Sequence, residues 1–513
     1  MTMTRFKTAG FIATLFTAAL LITCPAGATE YETRLKVALT AQPPTLDAPM
    51  TVSQAALDVA QNFFETLYTQ DEHFKPTPML AKSCEISDDR KTYTFRLRED
   101  VLFHNGKEMD ADDVAASMNY WLQKSSRAKN LLGAANFEPR DKHTVVLTLP
   151  EPTGDVLSLM STQANFPAIR PKASIEGATE KGVGDYTGTG PFIFKEWKQD
   201  QYIHLVRNPA YRALDTAPSG FSGRREPLVE EIYYYFVPDA ATRLAGLLSG
   251  EYHIADDIPT ENYKELKGVG NIVVHTDLGG TLTLFFNVRE GVLADPRMRR
   301  AVNTALDMND IMLASFADKD LFDLAPGYMN PDGIWASDAG KDRYNQHDPE
   351  AAKALFKEAG YANQELHLLT TPDYEEMYKA TLVLQDQLRQ AGINAVVDAF
   401  DFPTFMERKK NFKNWDLFIT SNAYQLTPQQ LLALNPDWAG ADDPKLKEGV
   451  AAIRSAPTHE EAKKAWDALQ GFLYDYLSSI ALGQYKEITA VSDKVEGFVF
   501  WQAPILWNTK VRK

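Results

Sequence analysis

The feature that most constrains this chain is a regular alternation of helix-like and strand-like segments in its second half. Asp295-Pro296 and Asp348-Pro349 each begin a predicted helix, with the carboxylate as N-cap and the proline in the first turn. Thr458 and Glu461 form a predicted capping box before another helix. The strand-like segments between the helices lie at residues 365–370, 393–397 and 416–420. This alternation predicts an α/β lobe built on a mostly parallel sheet.

The first half of the chain has a different pattern. Apolar residues alternate with polar ones in residues 92–98 and 144–149, which is the period of a half-buried strand. Between these segments, Asp110 is positioned to cap a helix that carries Val114, Met118 and Trp121 on one face. The change of pattern indicates more than one structural unit, and the chain of 513 residues is long enough for two to four.

The amino end has the features of an export signal. Arg5 and Lys7 precede an apolar run at residues 9–23, and small residues follow up to Ala28. We expect residues 1–28 to be a signal peptide that is cleaved after Ala28, which places the mature protein in the periplasm. A lipid-anchored form attached at Cys24 is an alternative, although a threonine stands where a smaller residue is normally needed before that cysteine.

The net charge restricts which partners the protein can bind, and the cysteine content restricts how its fold is stabilised. The formal net charge of -16 argues against a nucleic acid or an anionic membrane as a partner. Cleavage after Ala28 removes one of the two cysteines and leaves only Cys84, so the mature chain has no internal disulfide. Stability must therefore come from hydrophobic cores, for which a hydrophobic content of 44% is sufficient.

The sequence carries no local motif of catalysis. It has no Gly-x-Ser-x-Gly, no phosphate-binding glycine loop and no pair of histidines with the spacing of a zinc site. We therefore predict no catalytic residues, no metal and no cofactor, and interpret the chain as a binding protein and not an enzyme. A secreted hydrolase remains an alternative, because a nucleophile or metal site can converge from distant positions.

A series of characteristic segments spans almost the whole mature chain. They are residues 88–98 (DDRKTYTFRLR), 101–106 (VLFHNG), 111–114 (ADDV), 188–192 (GTGPF), 207–211 (RNPAY) and 295–302 (DPRMRRAV). In sequence and in order, these segments resemble those of the family 5 extracellular solute-binding proteins, the dipeptide and oligopeptide receptors of ATP-binding-cassette (ABC) importers. Most of these residues suit turns and helix starts, so we expect them to shape the backbone and not to touch a ligand.

The resemblance implies an α/β type II periplasmic-binding-protein fold, with two lobes joined by a hinge and an additional inserted domain. Domain I is expected at residues 29–67, 188–280 and 489–513, domain II, the insertion, at 68–187, and domain III at 282–484. A ligand would lie between the lobes, and its binding would stabilise a closed form that membrane permeases recognise. The implied function is the periplasmic component of an ABC importer that captures a peptide-like small molecule, acting as a monomer.

The sequence departs from the family in the segment that binds a peptide's amino group. Peptide receptors of this family use an aspartate there, because an ammonium removed from water needs a paired charge. Here the stretch is neutral near Tyr424 and Gln425, and Asp416 lies too early, at the start of the strand. Peptides with a free amino terminus are therefore in doubt, and a modified peptide, an opine or a sugar conjugate is the alternative.

Four residues are candidates for ligand contact. Asn422, Tyr424 and Gln425 offer hydrogen-bonding groups, and Trp438 offers an apolar wall, although core packing is an equal alternative for Trp438. A chaperone or a signalling receptor on the same scaffold is a further alternative to the importer role, and it would lack a closed and selective pocket.

Overall fold

The computed structural model describes residues 1–2, 30–51, 53–125, 128–129, 132–153 and 156–513. The expected signal peptide, its cleavage site after Ala28 and the alternative lipid attachment at Cys24 lie outside the described residues. In the described part of the chain, no helix combines the length and apolar character needed to cross a membrane.

The secondary structure mixes helices and strands along the whole chain. The strands are Arg34–Leu39, Tyr68–Gln70, Pro76–Pro78, Ala81–Ile86, Thr92–Leu97, Asn136–Asp141, Thr144–Thr148, Phe192–Lys198, Tyr202–Arg207, Glu231–Phe236, Ile254–Ala255, Ile272–Phe286, Phe322–Asp323, Glu365–Thr370, Asn394–Ala399, Leu417–Ala423, Ser479–Ser492, Val495–Glu496, Val499–Trp501, Ala503–Ile505 and Lys510–Val511. The α-helices are Gln54–Ala60, Ala111–Lys124, Val156–Ser161, Lys172–Glu176, Ala240–Ser249, Tyr263–Lys267, Pro296–Ala305, Met308–Phe316, Pro349–Glu358, Glu375–Gln390, Phe402–Lys409, Pro436–Ala439, Pro444–Ser455 and His459–Tyr476.

The predicted helix starts are confirmed, because the predicted N-cap side chains make the expected hydrogen bonds. The side chain of Asp295 accepts a hydrogen bond from the backbone N–H of Arg297, and Asp348 caps its helix in the same way. At Asp110 the capping box is reciprocal with Asp113. A carboxylate at these positions satisfies N–H groups that have no partner within the helix, which is why short local patterns located these elements.

One large sheet runs through the molecule. From one edge to the other its strands are Asn394–Ala399, Glu365–Thr370, Leu417–Ala423, Ile272–Phe286, Ser479–Ser492, Ile254–Ala255, Arg34–Leu39, Glu231–Phe236, Tyr202–Arg207 and Phe192–Lys198, with Phe322–Asp323 paired to Ser479–Ser492. The first three of these strands are parallel, as predicted. The expectation of a mostly parallel sheet is wrong at the next two strands, which pair antiparallel. Parallel pairing returns farther along the sheet, where Arg34–Leu39 pairs with Ile254–Ala255 and with Glu231–Phe236.

Those two strands, Ile272–Phe286 and Ser479–Ser492, are the longest in the described chain, and we name them the crossover strands. They pair antiparallel along most of their length. The pairing shifts register between Leu278 and Gly280, so that Gly279 is left without a partner on the opposite strand. A bulge of this kind bends a strand and re-aims the side chains next to it.

The buried apolar residues form three main cores. One consists of residues from 67 to 169 around a separate four-stranded sheet, and one combines residues from 35 to 64 with others from 166 to 254 and from 491 to 511. The largest lies between residues 247 and 490. The crossover strands contribute to more than one core, so they connect the parts of the molecule between which the candidate site lies.

Candidate functional site

A cavity of about 280 Å³ lies where these three parts of the molecule meet. Its lining comes from the helix Gln54–Ala60, from residues 158–164, from the loop at residues 329–335, from residues 423–426 and from the crossover strands. Ligand sites in proteins prefer such junctions between domains, and volumes of a few hundred Å³ suit small organic ligands.

The cavity combines aromatic walls with neutral polar groups. Trp335 and Phe74 line it, and Trp335 is held in place by an edge contact to the ring of His459, with 4.6 Å between ring centroids. The backbone carbonyl of Trp335 accepts a hydrogen bond from the indole N–H of Trp466, at 3.0 Å. Such a wall can cover the apolar part of a ligand, while amide and hydroxyl groups fix its orientation.

Two of the four candidate residues line this cavity. The hydroxyl of Tyr424 donates to Oε1 of the buried Gln484 at 2.7 Å, and burial raises the pKa of Tyr424 above its ordinary value, so the hydroxyl stays protonated. Gln425 lies beside it, and its amide donates to the backbone carbonyl of Ala423 at 2.9 Å. Both residues follow the strand Leu417–Ala423, which places them at its carboxyl end.

The other two candidates lie elsewhere. Asn422 borders a separate void of about 20 Å³ next to the crossover strands, a volume that has room for about one water molecule. Trp438 packs among aromatic residues of the largest core, with its ring centroid 5.4 Å from that of Phe285. The ammonium of Lys409 lies 4.0 Å from the centroid of the Trp438 ring. These contacts are those of core packing, the alternative that the sequence left open for Trp438.

Asp416 is positioned as the sequence suggested. It precedes the strand Leu417–Ala423, and its carboxylate accepts a hydrogen bond from the backbone N–H of His367 at 2.8 Å. It is absent from the described lining of the cavity. The carboxylate of Asp416 therefore contacts the backbone of the neighbouring strand and does not border this cavity.

Glu487 is a lining residue that sequence reasoning missed. It lies on the second crossover strand, opposite Asp277, and its side chain extends over the backbone of Gly279. Burial by the surrounding protein, followed by the charges of Asp256, Asp257 and Asp277, raises the pKa of Glu487 from its ordinary 4.5 to about 7. No local pattern marks this residue, because only the bulge and the pairing of distant strands bring it to the cavity.

A second carboxylate lies behind the lining. Asp58 is buried, and its Oδ1 accepts hydrogen bonds from the side-chain amides of Gln54 and Gln163, at 2.7 and 2.9 Å. Burial is the main cause that raises the pKa of Asp58 well above its ordinary value. The two glutamines thus direct their N–H groups away from the cavity, toward this carboxylate.

Most side chains of the lining are neutral. It contains amides, hydroxyls and the carboxylate of Glu487, but among the described residues no histidine, cysteine or lysine. Within the described ranges, no group of three or more histidine, cysteine, aspartate or glutamate side chains is arranged to hold a metal ion. The arrangement is one of hydrogen bonding and shape, which are the means of selective binding.

The sequence and the fold of this protein are similar to those of known binding proteins. A probable peptide ABC transporter periplasmic-binding protein from Sinorhizobium fredii is 26% identical over 466 residues, which cover 87% of each chain. The structure resembles that of the ABC transporter substrate-binding protein CtaP from Listeria monocytogenes, with a TM-score of 0.81, 20% identity and coverage of 91% and 96% of the two chains. It also resembles AgaA from A. tumefaciens in complex with agropinic acid, with a TM-score of 0.70, 24% identity and coverage of 94% and 99%.

These structural neighbours share the two-lobe fold of periplasmic-binding proteins, as the sequence resemblance implied. The family model for the bacterial extracellular solute-binding proteins, family 5, middle region, matches residues 75–448, which is most of the chain. The protein therefore belongs to the family 5 bacterial extracellular solute-binding proteins.

Proposed function

We propose that this protein is the periplasmic receptor of an ABC importer and that it captures a peptide or peptide-like small molecule in the cavity between its lobes. The observation that carries the proposal is the cavity itself, which is lined by three separately packed parts of the chain and by the two paired crossover strands. A ligand that contacts all three parts favours their closed arrangement, and permeases can then distinguish loaded from empty receptor.

The division into domains is part of this proposal. Domain I comprises residues 29–67, 188–280 and 489–513, domain II residues 68–187, and domain III residues 282–484. The three cores support most of this division, but some residues pack across its boundaries. Phe166 and Ala168 of domain II pack in the core of domain I, and Leu67 of domain I packs in the core of domain II. The domain I residues that pack in the third core are Leu247, Ala255, Ile258, Tyr263, Leu266, Ile272 and Ala490. A hinge at the crossover strands then requires bending of only two chain segments.

The remaining parts of the proposal concern export and partners. Cleavage after Ala28 releases the mature protein into the periplasm, where it acts as a monomer, binds no nucleic acid and delivers its ligand to membrane permeases. The protein makes and breaks no bond in this cycle. Membership in a family of solute-binding proteins supports the role of receptor and not of enzyme.

A non-peptide solute is the second candidate. The neutral sequence at Tyr424 and Gln425 favours it, because the aspartate that pairs with a peptide's amino group is missing there. Support also comes from AgaA, a protein of the same fold that was solved with agropinic acid. An opine or a sugar conjugate would then use the amide groups of the cavity.

A thermal-shift screen of residues 29–513 tests the function. The ligand set comprises free di- and tripeptides, amino-blocked peptides, opines and sugars. A true ligand stabilises the folded protein by mass action, by about 2.7 kcal/mol at a concentration of 100 times its Kd. Stabilisation by peptides confirms the first candidate, and stabilisation by opines or sugars alone supports the second. If no compound in any class shifts the melting temperature, the proposed receptor function is contradicted.

A further inference from the structure

Glu487 is the one charged side chain among the described residues that line the cavity. The residue keeps solvent-accessible surface where it borders the space that a ligand would occupy, while the protein packed around it removes part of its hydration. No hydrogen-bond donor or cationic group of the described chain contacts its carboxylate. The cavity thus presents a single negative charge without a partner.

The environment of Glu487 makes a partner favourable. The titratable groups around it are four carboxyls and one phenol, and none of them is a cation. They are Asp277 on the paired crossover strand, Asp256 and Asp257 after the strand Ile254–Ala255, Asp58 on the helix Gln54–Ala60, and Tyr485 on the same strand as Glu487. Partial removal from water is the main cost of ionising Glu487, and the charges of Asp256, Asp257 and Asp277 add to it. A ligand cation at this carboxylate would relieve that cost.

The bulge of the first crossover strand makes room for this side chain. A Cβ atom placed on Gly279 would lie 2.6 Å from Cγ and 2.8 Å from Oε1 of Glu487, closer than such atoms approach. Glycine at position 279 therefore allows the carboxylate to lie against the strand and border the cavity. The position of Glu487 depends on the backbone, and not on an ion pair that a ligand would have to break.

Other groups of the lining are also without partners. The Oγ1 atom of Thr162 and the indole N–H of Trp335 are buried without a hydrogen-bond partner in the described part of the protein, and each residue is 4% exposed. The amide nitrogens of Gln54 and Gln163 are used by Asp58, which leaves the carbonyl oxygen of Gln54 free to accept. Unpaired buried polar groups are costly, so their presence in a cavity indicates a polar ligand.

We propose that Glu487 binds the protonated nitrogen of the ligand and that the cavity selects peptide-like cations over neutral and anionic molecules. This inference rests on the proposed receptor function and names the class of its ligand. It assigns the amine-binding role of the family to a crossover strand, in place of the missing aspartate near Tyr424. Because the described lining has no arginine, lysine or histidine, a carboxylate on the ligand finds no cationic partner there.

Isothermal titration of the mature protein with dipeptides in four charge forms tests the proposal. Each dipeptide is used as the carboxyl amide, which is a cation, as the free zwitterion, as the amino-acetylated amide, which is neutral, and as the amino-acetylated acid, which is an anion. The second residue is varied among small, polar and aromatic side chains. We expect the amides to bind most tightly, the zwitterions next and the acetylated acids least.

Two variants separate direct contact from the general negative field. Glu487→Gln keeps the shape and removes the charge, and it should weaken the binding of the cationic amides by about tenfold or more while leaving the neutral forms within about twofold. Asp257→Asn removes one charge nearby, at a residue outside the described lining, and keeps an acceptor for the hydroxyl of Thr40. It should change the affinity for the amides by less than about twofold.

The outcomes distinguish this proposal from the receptor function. If acetylated forms bind as tightly as the amides, or if Glu487→Gln binds the amides as well as the native protein, the cation proposal is overturned while the receptor function stands. If no form of any dipeptide binds, the cation proposal is also overturned, and the receptor function then depends on the opines and sugars of the wider screen.

Discussion

At the scale of single residues, Glu487 links the stability of this protein to pH. Its pKa is raised from 4.5 in an ordinary environment to about 7 in the folded protein. Between these two values the folded state holds a proton that the unfolded chain has released. The contribution of Glu487 to stability therefore falls as the pH rises from about 4.5 to about 7, and the full penalty is present above that window.

Glu487→Gln should accordingly stabilise the ligand-free protein at pH 8 and have little effect at pH 5. The gain should be about 1 kcal/mol, because solvent in the cavity screens the charge and reduces the penalty. Urea denaturation of the native and variant proteins at pH 5, 6, 7 and 8 measures the difference. A difference that does not change with pH would show that the carboxylate is well solvated and that its pKa is ordinary.

Sequence could place candidate residues beside the cavity only where the order of the chain itself positions them, and their contact with a ligand stays a prediction. Tyr424 and Gln425 follow directly from the end of a predicted strand, and both line the cavity. Trp438 lies close to them in sequence, but a short helix turns it into the aromatic core beside Phe285. Glu487 could not be found, because a glutamate within a strand has no local feature that separates a cavity position from a solvent position.

At the scale of elements, the two glycines of the first crossover strand have separable roles. A Cβ on Gly280 would lie 2.0 Å from the backbone oxygen of Asn422 on the neighbouring strand, which cannot move without breaking the sheet. The three atoms nearest to a Cβ on Gly279 all belong to the side chain of Glu487, which is flexible. The same substitution at adjacent positions should therefore have different consequences.

We expect Gly280→Ala to destabilise the protein by about 2 kcal/mol or more, because strand separation has to increase. Gly279→Ala should cost less than about 1 kcal/mol but weaken the binding of cationic dipeptide amides, since Glu487 must move from its place beside the cavity. Thermal unfolding and titration of both variants measure the two effects. Equal losses of stability in the two variants would contradict this separation.

Elements with a local start signal were predicted well, and those without one were not. Carboxylate caps located the starts of the helices Ala111–Lys124, Pro296–Ala305 and Pro349–Glu358. The antiparallel crossover strands were not identified from their own sequence, because their pairing joins residues about 200 positions apart. Their role was expected only from the resemblance to a family.

At the scale of the whole molecule, a buried ion pair attaches the inserted part of the chain to the rest. Arg170 and Asp47 are both fully buried, with 2.8 Å between Nη2 and Oδ1. The other carboxylate oxygen of Asp47 accepts hydrogen bonds from the hydroxyl of Tyr120 and from the backbone N–H of Val183, at 2.6 and 2.8 Å. Asp47 thus connects its own segment to three positions in residues 68–187.

The guanidinium of Arg170 depends on this carboxylate. It lies 4.3 Å from the centroid of the Phe64 ring, and burial lowers the pKa of Arg170 below its ordinary value. Removal of one partner from such a pair leaves a buried charge without compensation, which typically costs about 3–5 kcal/mol. Replacement of both partners by uncharged residues avoids that cost.

We therefore expect Asp47→Asn to lower the free energy of unfolding by about 3 kcal/mol or more, and the double variant Asp47→Asn with Arg170→Met to recover much of the loss. Asparagine can still accept from Tyr120 and Val183, so the loss reports on the charge and not on those hydrogen bonds. Chemical denaturation followed by tryptophan fluorescence measures stability, and limited proteolysis shows whether residues 68–187 become the first region to be cut. Two results would contradict this expectation: a loss of less than about 1 kcal/mol in Asp47→Asn, or a double variant that is no more stable than the single one. In either case packing, and not the ion pair, holds the inserted part in place. Closure of the cavity would then rest on the crossover strands alone.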